Sequence, residues 1–159
     1  LHFLVEFNTL KIFDFNNMIT QYVIALGSNS DGKISFDIAI AQLEKWGDVL
    51  LSSVVASKDF TGKTDLIYHN AVVVMTLYEP IDHNGFNLAL KSIEKKCGRE
   101  HDVLKIDKTD EIKIPMDLDI LAYYDDGTWH VIKKRLPFKV HEKKGLIEIA
   151  PFLLTNQTI

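Results

Sequence analysis

Met116-Asp117-Leu118-Asp119-Ile120-Leu121 alternates apolar and acidic residues with a period of two, the pattern of a strand with one face in a core. Met116, Leu118 and Ile120 point one way. Asp117 and Asp119 project together on the other, their roots roughly 7 Å apart from two residues of strand rise. Like charges this close raise one another's pKa and oppose ionisation unless a divalent cation neutralises them. Mg²⁺ takes one or two carboxylates together with substrate phosphates, so the pair is a candidate seat for metal-nucleotide chemistry. The same alternation describes any half-exposed strand, and the surroundings of the pair must separate the two readings.

Upstream, residues 100–115 alternate in charge with weak periodicity and read as a surface loop. Before it, a helix expected from about Asn84 carries Phe86, Leu90, Ile93 and Cys97 at helical spacing, with Gly98 as its stop and Arg99 just beyond. Residues 68–77, β-branched through Val72, Val73 and Val74, read as a central strand that Glu79-Pro80 is expected to break. Residues 49–55 read as another strand, followed by a polar connection over 57–65. Ser35 is expected to cap a helix with Asp37 in its first turn and an apolar stripe of Phe36, Ile40, Leu43 and Trp46, ending at Gly47. Residues 22–26 form the first strand, halted by the turn cluster from Gly27 to Gly32, which lacks the lysine and spacing of a P-loop.

Downstream, Asp125-Asp126-Gly127 is a turn and residues 129–132 a further strand. Residues 133–144 are basic and contain Pro137, and residues 146–154, interrupted by Pro151, close the core as a short helix. The order β-α-β-β-α-β identifies an α+β, ferredoxin-like fold with additional strands and a short C-terminal helix.

A chain of 159 residues with 47% hydrophobic and 25% charged residues suits one globular domain, here expected over residues 18–159. Residues 1–17 contain Glu6 and Asp14, lack a basic start, and read as an extension or as an added edge strand or helix. A net charge of −4 offers no general attraction to nucleic acid, and no apolar run approaches the length of a membrane span. The single cysteine, Cys97, excludes an intrachain disulfide and points to a reducing, cytoplasmic setting. Only Arg99 and Arg135 among eighteen basic residues are arginines, so lysine must carry most anion contacts.

Four separated pieces resemble, in order, one family. Tyr22-Val23-Ile24-Ala25-Leu26-Gly27-Ser28-Asn29 is similar to its opening strand and turn, Tyr68-His69-Asn70-Ala71-Val72 to its pterin strand, Ile93-Glu94 through Gly98-Arg99 to the end of its second helix, and Asp117-Leu118-Asp119-Ile120 to its metal motif. The family is the 6-hydroxymethyl-7,8-dihydropterin pyrophosphokinases of folate biosynthesis, and the resemblance spans about residues 22–151. It implies transfer of the β,γ-pyrophosphoryl group of ATP to the hydroxymethyl oxygen of a reduced pterin, releasing AMP. ATP and the pterin would then be small-molecule partners, and two Mg²⁺ ions would be the cofactors, held by Asp117 and Asp119. The resemblance also implies that Asn70 reads the pterin's amide-like edge, that Tyr68 offers a ring face and that Leu146 takes the place of a stacking aromatic. Glu94, Arg99, Lys143 and Lys144 are the implied ATP-binding set, and Arg99, Lys113 and Lys144 the implied catalytic cations.

The chain departs from the family pattern around the nucleotide. Members usually carry G-P-R-x-x-D-x-D, whereas Ile112-Lys113-Ile114-Pro115-Met116 precedes Asp117, leaving Lys113 as a point charge without the planar fork of arginine. Pro137-Phe138 stands where a P-H pair is usual, and the next family arginine becomes Lys143 or Lys144. These departures keep two alternatives open: a pterin- or nucleotide-binding homologue impaired in turnover, and a different Mg-dependent phosphoryl or nucleotidyl transferase.

Overall fold

The structure, a computed structural model, describes residues 18–59, 61–62, 65–98 and 113–155. The expected extension over 1–17, Arg99 and the expected loop as far as residue 112 lie outside the described residues.

In chain order the elements are β1 (Ile19–Ser28), α1 (Gly32–Glu44), β2 (Gly47–Leu51), β3 (Val55–Lys58), β4 (Ile67–Ile81), α2 (His83–Lys96), β5 (Asp117–Asp125), β6 (Thr128–Val131), a 3₁₀ turn (Lys133–Arg135), α3 (Val140–Ile149) and α4 (Phe152–Thr155). The strands make one six-stranded sheet in the order β2-β4-β1-β5-β6, with β3 also paired to β4. Every pairing is antiparallel. This is the expected α+β, ferredoxin-like arrangement with its additions.

Alternation along the central strands sorts their side chains into two cores. Tyr22, Ile24 and Leu26 of β1 join Ala71, Val73 and Met75 of β4 and Met116, Leu118 and Ile120 on one face, beneath Phe36, Ala39 and Leu43 of α1 and Phe86, Leu90 and Ile93 of α2. Val23, Val72, Leu121 and Ala122 face the other way, where Phe138, Leu146, Ala150 and Leu153 cover them. The C-terminal helices thus add a layer on the face opposite α1 and α2. Leu121 and Ala122 both reach this second core because the β1–β5 register shifts between Val23 and Ile24, a bulge that inserts one residue into β5. Trp129 extends the layer, its ring 5.0 Å from that of Phe152 and 5.5 Å from that of Tyr124.

Several local expectations are corrected. Glu79-Pro80 does not break β4, which runs on to Ile81; the pairing with β1 jumps from Thr76 to Ile81, so the missing N–H of Pro80 falls in an irregular stretch. The strand expected over 49–55 is two strands, and β3 occupies part of the expected connection. Between them Ser52 leaves the ladder but still donates its N–H to the Val72 carbonyl at 2.9 Å, while its Oγ accepts the Val72 N–H at 2.9 Å. Ser35 does not cap α1: the helix starts at Gly32, after Asp31 in the left-handed region, and Ser35 is buried inside it. Trp46 lies beyond that helix, and Gly47 begins β2 instead of ending α1. The C-terminal helix starts at Val140, well before Leu146, with Glu142 reaching back to accept the Lys139 N–H at 2.9 Å. Helix α2 and the last turn do follow the sequence. Asp82 caps α2 by accepting the Gly85 N–H, and Asp126 and Gly127 take φ values of 47° and 75°, as a type I′ hairpin requires.

A side chain on Gly47 would put its Cβ 2.2 Å from the backbone oxygen of Thr76. Gly47→Val is therefore expected to lower unfolding stability by about 2 kcal/mol or more through forced backbone displacement, read from urea denaturation midpoints. Burial pushes the Cys97 thiol up to about 11, and its Sγ lies 3.6 Å from the Ser35 carbonyl. Alkylation of the native chain near pH 8 should consequently be at least about tenfold slower than that of the unfolded chain, measured by timed labelling and mass analysis.

Candidate active site

Three strands bring the acidic pair and the expected pterin residues onto one face. In the register, Asn70 pairs with Gly27 and Gly27 with Asp117, so these three form a row across β4, β1 and β5. The adjoining row is Val72, Ala25 and Asp119. Two inter-strand spacings separate the Asn70 and Asp117 backbones by roughly 10 Å. The residues between them, Gly27 and Ala25, are the smallest available. An added Cβ at Gly27 would lie 3.0 Å from Asn70 Oδ1 and press on the amide that faces the pair. Tyr68, two residues before Asn70 on β4, shares its face and is half-buried, whereas Asn70 is only 8% exposed.

The carboxylates are held from behind. Met116, Leu118 and Ile120 are buried against α2, fixing the opposite orientation of Asp117 and Asp119. Glu94 of α2, itself buried, accepts the Leu118 N–H at 2.8 Å and pairs with Lys91 at 2.9 Å. The approach to β5 is tied down by Asn29, whose N–H donates to the Ile114 carbonyl at 3.0 Å and whose Oδ1 accepts the Ile114 N–H at 2.5 Å. The turn after β1 thus acts as a clasp on the segment entering the site.

Burial raises the pKa of Asp119, and the neighbouring Asp117 charge and a hydrogen bond shared with Asp117 raise it further; Arg135 and, more weakly, Lys91 oppose this. Nη2 of Arg135 donates to Asp119 Oδ1, forming an ion pair between the 3₁₀ turn and β5. Arg135 was not among the residues expected here. The signal available was its rarity, as one of two arginines, in the basic run over 133–144.

The remaining expected residues fall as follows. Lys113 is exposed just before the Ile114 clasp, and Lys143 and Lys144 are exposed on α3, the helix that covers this same sheet face. Leu146 is fully buried in the second core, packed in place with Gly145 close against Val72. Glu94 braces the strand from the opposite face of the sheet. A cavity of about 500 Å³ lined by Phe36, Ile40, Leu51, Val54 and His69 lies on the α1 side of the sheet, away from the aspartates.

Among the described residues no three His, Cys, Asp or Glu side chains converge as a closed metal cage. Two close, hard carboxylates, one with a raised pKa, suit a cation that takes its other ligands from water and phosphate, which is the habit of Mg²⁺. Such a pair at the open face of a sheet has the chemistry to share a divalent cation with phosphate groups. More particularly, residues 23–151 match the family model described as 7,8-dihydro-6-hydroxymethylpterin-pyrophosphokinase (HPPK), and the chain belongs to that family. Its members are ATP-dependent pyrophosphotransferases that use Mg²⁺. No curated protein matches the chain. No helix among the described residues is long and apolar enough to cross a membrane.

The raised Asp119 pKa has a sign that thermal melts can read. The folded chain retains a proton that the unfolded chain releases above the ordinary carboxylate range, so this group's contribution to stability falls as pH rises through the raised value. Without divalent cation, Asp117→Asn should show a weaker fall above the ordinary carboxylate range than the parent chain, because the repelling charge is gone. Added Mg²⁺ should raise the melting temperature of the parent near pH 7.5 and leave Asp117→Asn/Asp119→Asn unmoved.

Proposed function

We propose that the chain transfers the pyrophosphoryl group of ATP to 6-hydroxymethyl-7,8-dihydropterin, as its family membership suggests. The observation that carries this reading is the Asn70–Gly27–Asp117 row, in which a buried amide and the first carboxylate of the pair share one face across a glycine without a side chain. A flat heterocycle bonded by Asn70 and flanked by the Tyr68 ring would turn its hydroxymethyl arm toward the carboxylates. That arm's oxygen forms a bond to the β-phosphorus of ATP as the bond from that phosphorus to the α,β-bridging oxygen breaks. AMP leaves with the bridging oxygen, and the hydroxyl proton goes to solvent.

Such a transfer depends on positioning and on neutralising phosphate charge. Asp117 and Asp119 would hold the divalent cations, expected to be two, which when bound would supply that neutralisation. Glu94 keeps the spacing of the pair by fixing Leu118, and Lys113, Lys143 and Lys144 supply positive charge around the nucleotide. Arg99 would add a further phosphate contact from beyond the end of α2.

The test is AMP release from ATP in the presence of Mg²⁺ and the reduced hydroxymethylpterin. Asn70→Ala should raise the pterin KM by about tenfold or more, the cost of one or two buried hydrogen bonds, with a smaller effect on ATP. Asp117→Asn should reduce kcat by at least about 100-fold. Release no greater than that of Asp117→Asn/Asp119→Asn would defeat the assignment. A second reading, a pterin- or nucleotide-binding protein without turnover, is favoured by Phe138, which stands at the usual histidine position and is buried in the second core. It requires calorimetric binding of both ligands with no AMP formed.

A further inference from the structure

Arg135 is the least conventional member of the site. Its Nη2 pairs with Asp119, yet its Nε is buried without a hydrogen-bond partner, and the two side chains remain 29% and 21% exposed. A guanidinium normally presents Nε and one Nη as a fork to two oxygens. Here Asp119 engages one prong only, while its carboxyl group also shares a hydrogen bond with Asp117. A buried donor left without a partner is costly to the fold. The contact therefore leaves a donor that an incoming anion could satisfy.

We propose that Arg135 is a phosphate-binding residue that exchanges partners, holding Asp119 in the resting chain and turning its fork to a nucleotide phosphate when a divalent cation takes the carboxylates. The inference rests on the pyrophosphoryl-transfer reading for the identity of the anion. The competition at Asp119 is independent of that reading.

Charge and chemistry carry the argument. Arginine and a divalent cation would draw on the same Asp119 carboxylate, so binding of one weakens the other by thermodynamic linkage. A guanidinium displaced from a half-buried carboxylate needs a new anion, since removing one partner of a buried pair is far more costly than exchanging it. A phosphate offers two or three oxygens in the geometry that Nε and Nη2 can take together. Lys133 and Lys134 on the same 3₁₀ turn are exposed, so a phosphate arriving there meets a locally positive edge. Arg135 is also the only arginine among the described residues, and no lysine can reproduce its fork. The exchange makes cation and nucleotide mutually dependent: the cation alone strands the guanidinium, and nucleotide alone must pull it from Asp119.

Calorimetric titration tests this with two probes: Mg²⁺ alone, and a nonhydrolysable ATP analogue at saturating Mg²⁺. Arg135→Gln should bind Mg²⁺ alone about fivefold or more tightly than the parent chain, because the competitor is gone, and should bind the Mg²⁺-analogue complex about tenfold or more weakly. Arg135→Lys, which keeps a charge beside Asp119 but no fork, should hold Mg²⁺ affinity near the parent value and still lose analogue affinity. If Arg135→Gln does not fold, as judged by thermal melts, Arg135→Lys decides the matter. Unchanged or weaker Mg²⁺ affinity in folded Arg135→Gln, or unaltered analogue affinity in either variant, overturns the proposal. Neither titration contains pterin or requires turnover, so failure of the AMP assay would count against the proposed reaction and not against this exchange.

Discussion

Burial of Met116, Leu118 and Ile120 beneath α2 is the constraint on which the site depends. It forces Asp117 and Asp119 out on the opposite face at a fixed spacing, whatever their mutual repulsion. A loop could relax two like charges apart; a strand locked by core packing cannot. The Glu94 bond to Leu118 tightens the same restraint from the helix side. The raised pKa of Asp119, from its burial and from the neighbouring Asp117 charge, is the local consequence.

β1 contributes by what it lacks. Its odd-numbered positions change from Val23 to Ala25 to Gly27 toward the end of the strand, so the sheet face empties as it approaches the Asn70–Asp117 row. This decrease in side-chain size is written into strand composition and needs no special backbone conformation. Farther back the same face is filled by Leu146, Phe138 and Leu153, which anchor α3 and α4 and carry the lysines alongside.

Much of this was legible in the chain because it depends on near neighbours. The period of two at Met116–Leu121, the helical spacing of Phe86, Leu90 and Ile93, and the Asp126-Gly127 turn are local signals and survive folding unchanged. The shared face of Asn70 and the aspartates required the order and register of three strands. What escaped were features set by long-range registration. Pro80 remains in a strand because the pairing jumps around it, and Gly47 is glycine because β4 passes too close for a side chain. Helix α3 begins among lysines whose charge masks a short apolar face. Arg135 reaches Asp119 across sixteen residues of sequence that include a hairpin and a turn, and no spacing rule announces that meeting. Leu146 shows the converse: a position inferred from resemblance to face a ligand is filled by a core residue.

Glu94 has one more consequence. On the side of β5 away from β1, β6 pairs with Ala122–Asp125, and the Leu118 amide donates to a carboxylate instead of to another strand. A backbone N–H so occupied, with a charge lodged beside it, is a poor template for an incoming strand from another molecule. The bond that steadies the acidic pair also seals part of a sheet border, tying the protein's behaviour in concentrated solution to the geometry of its site.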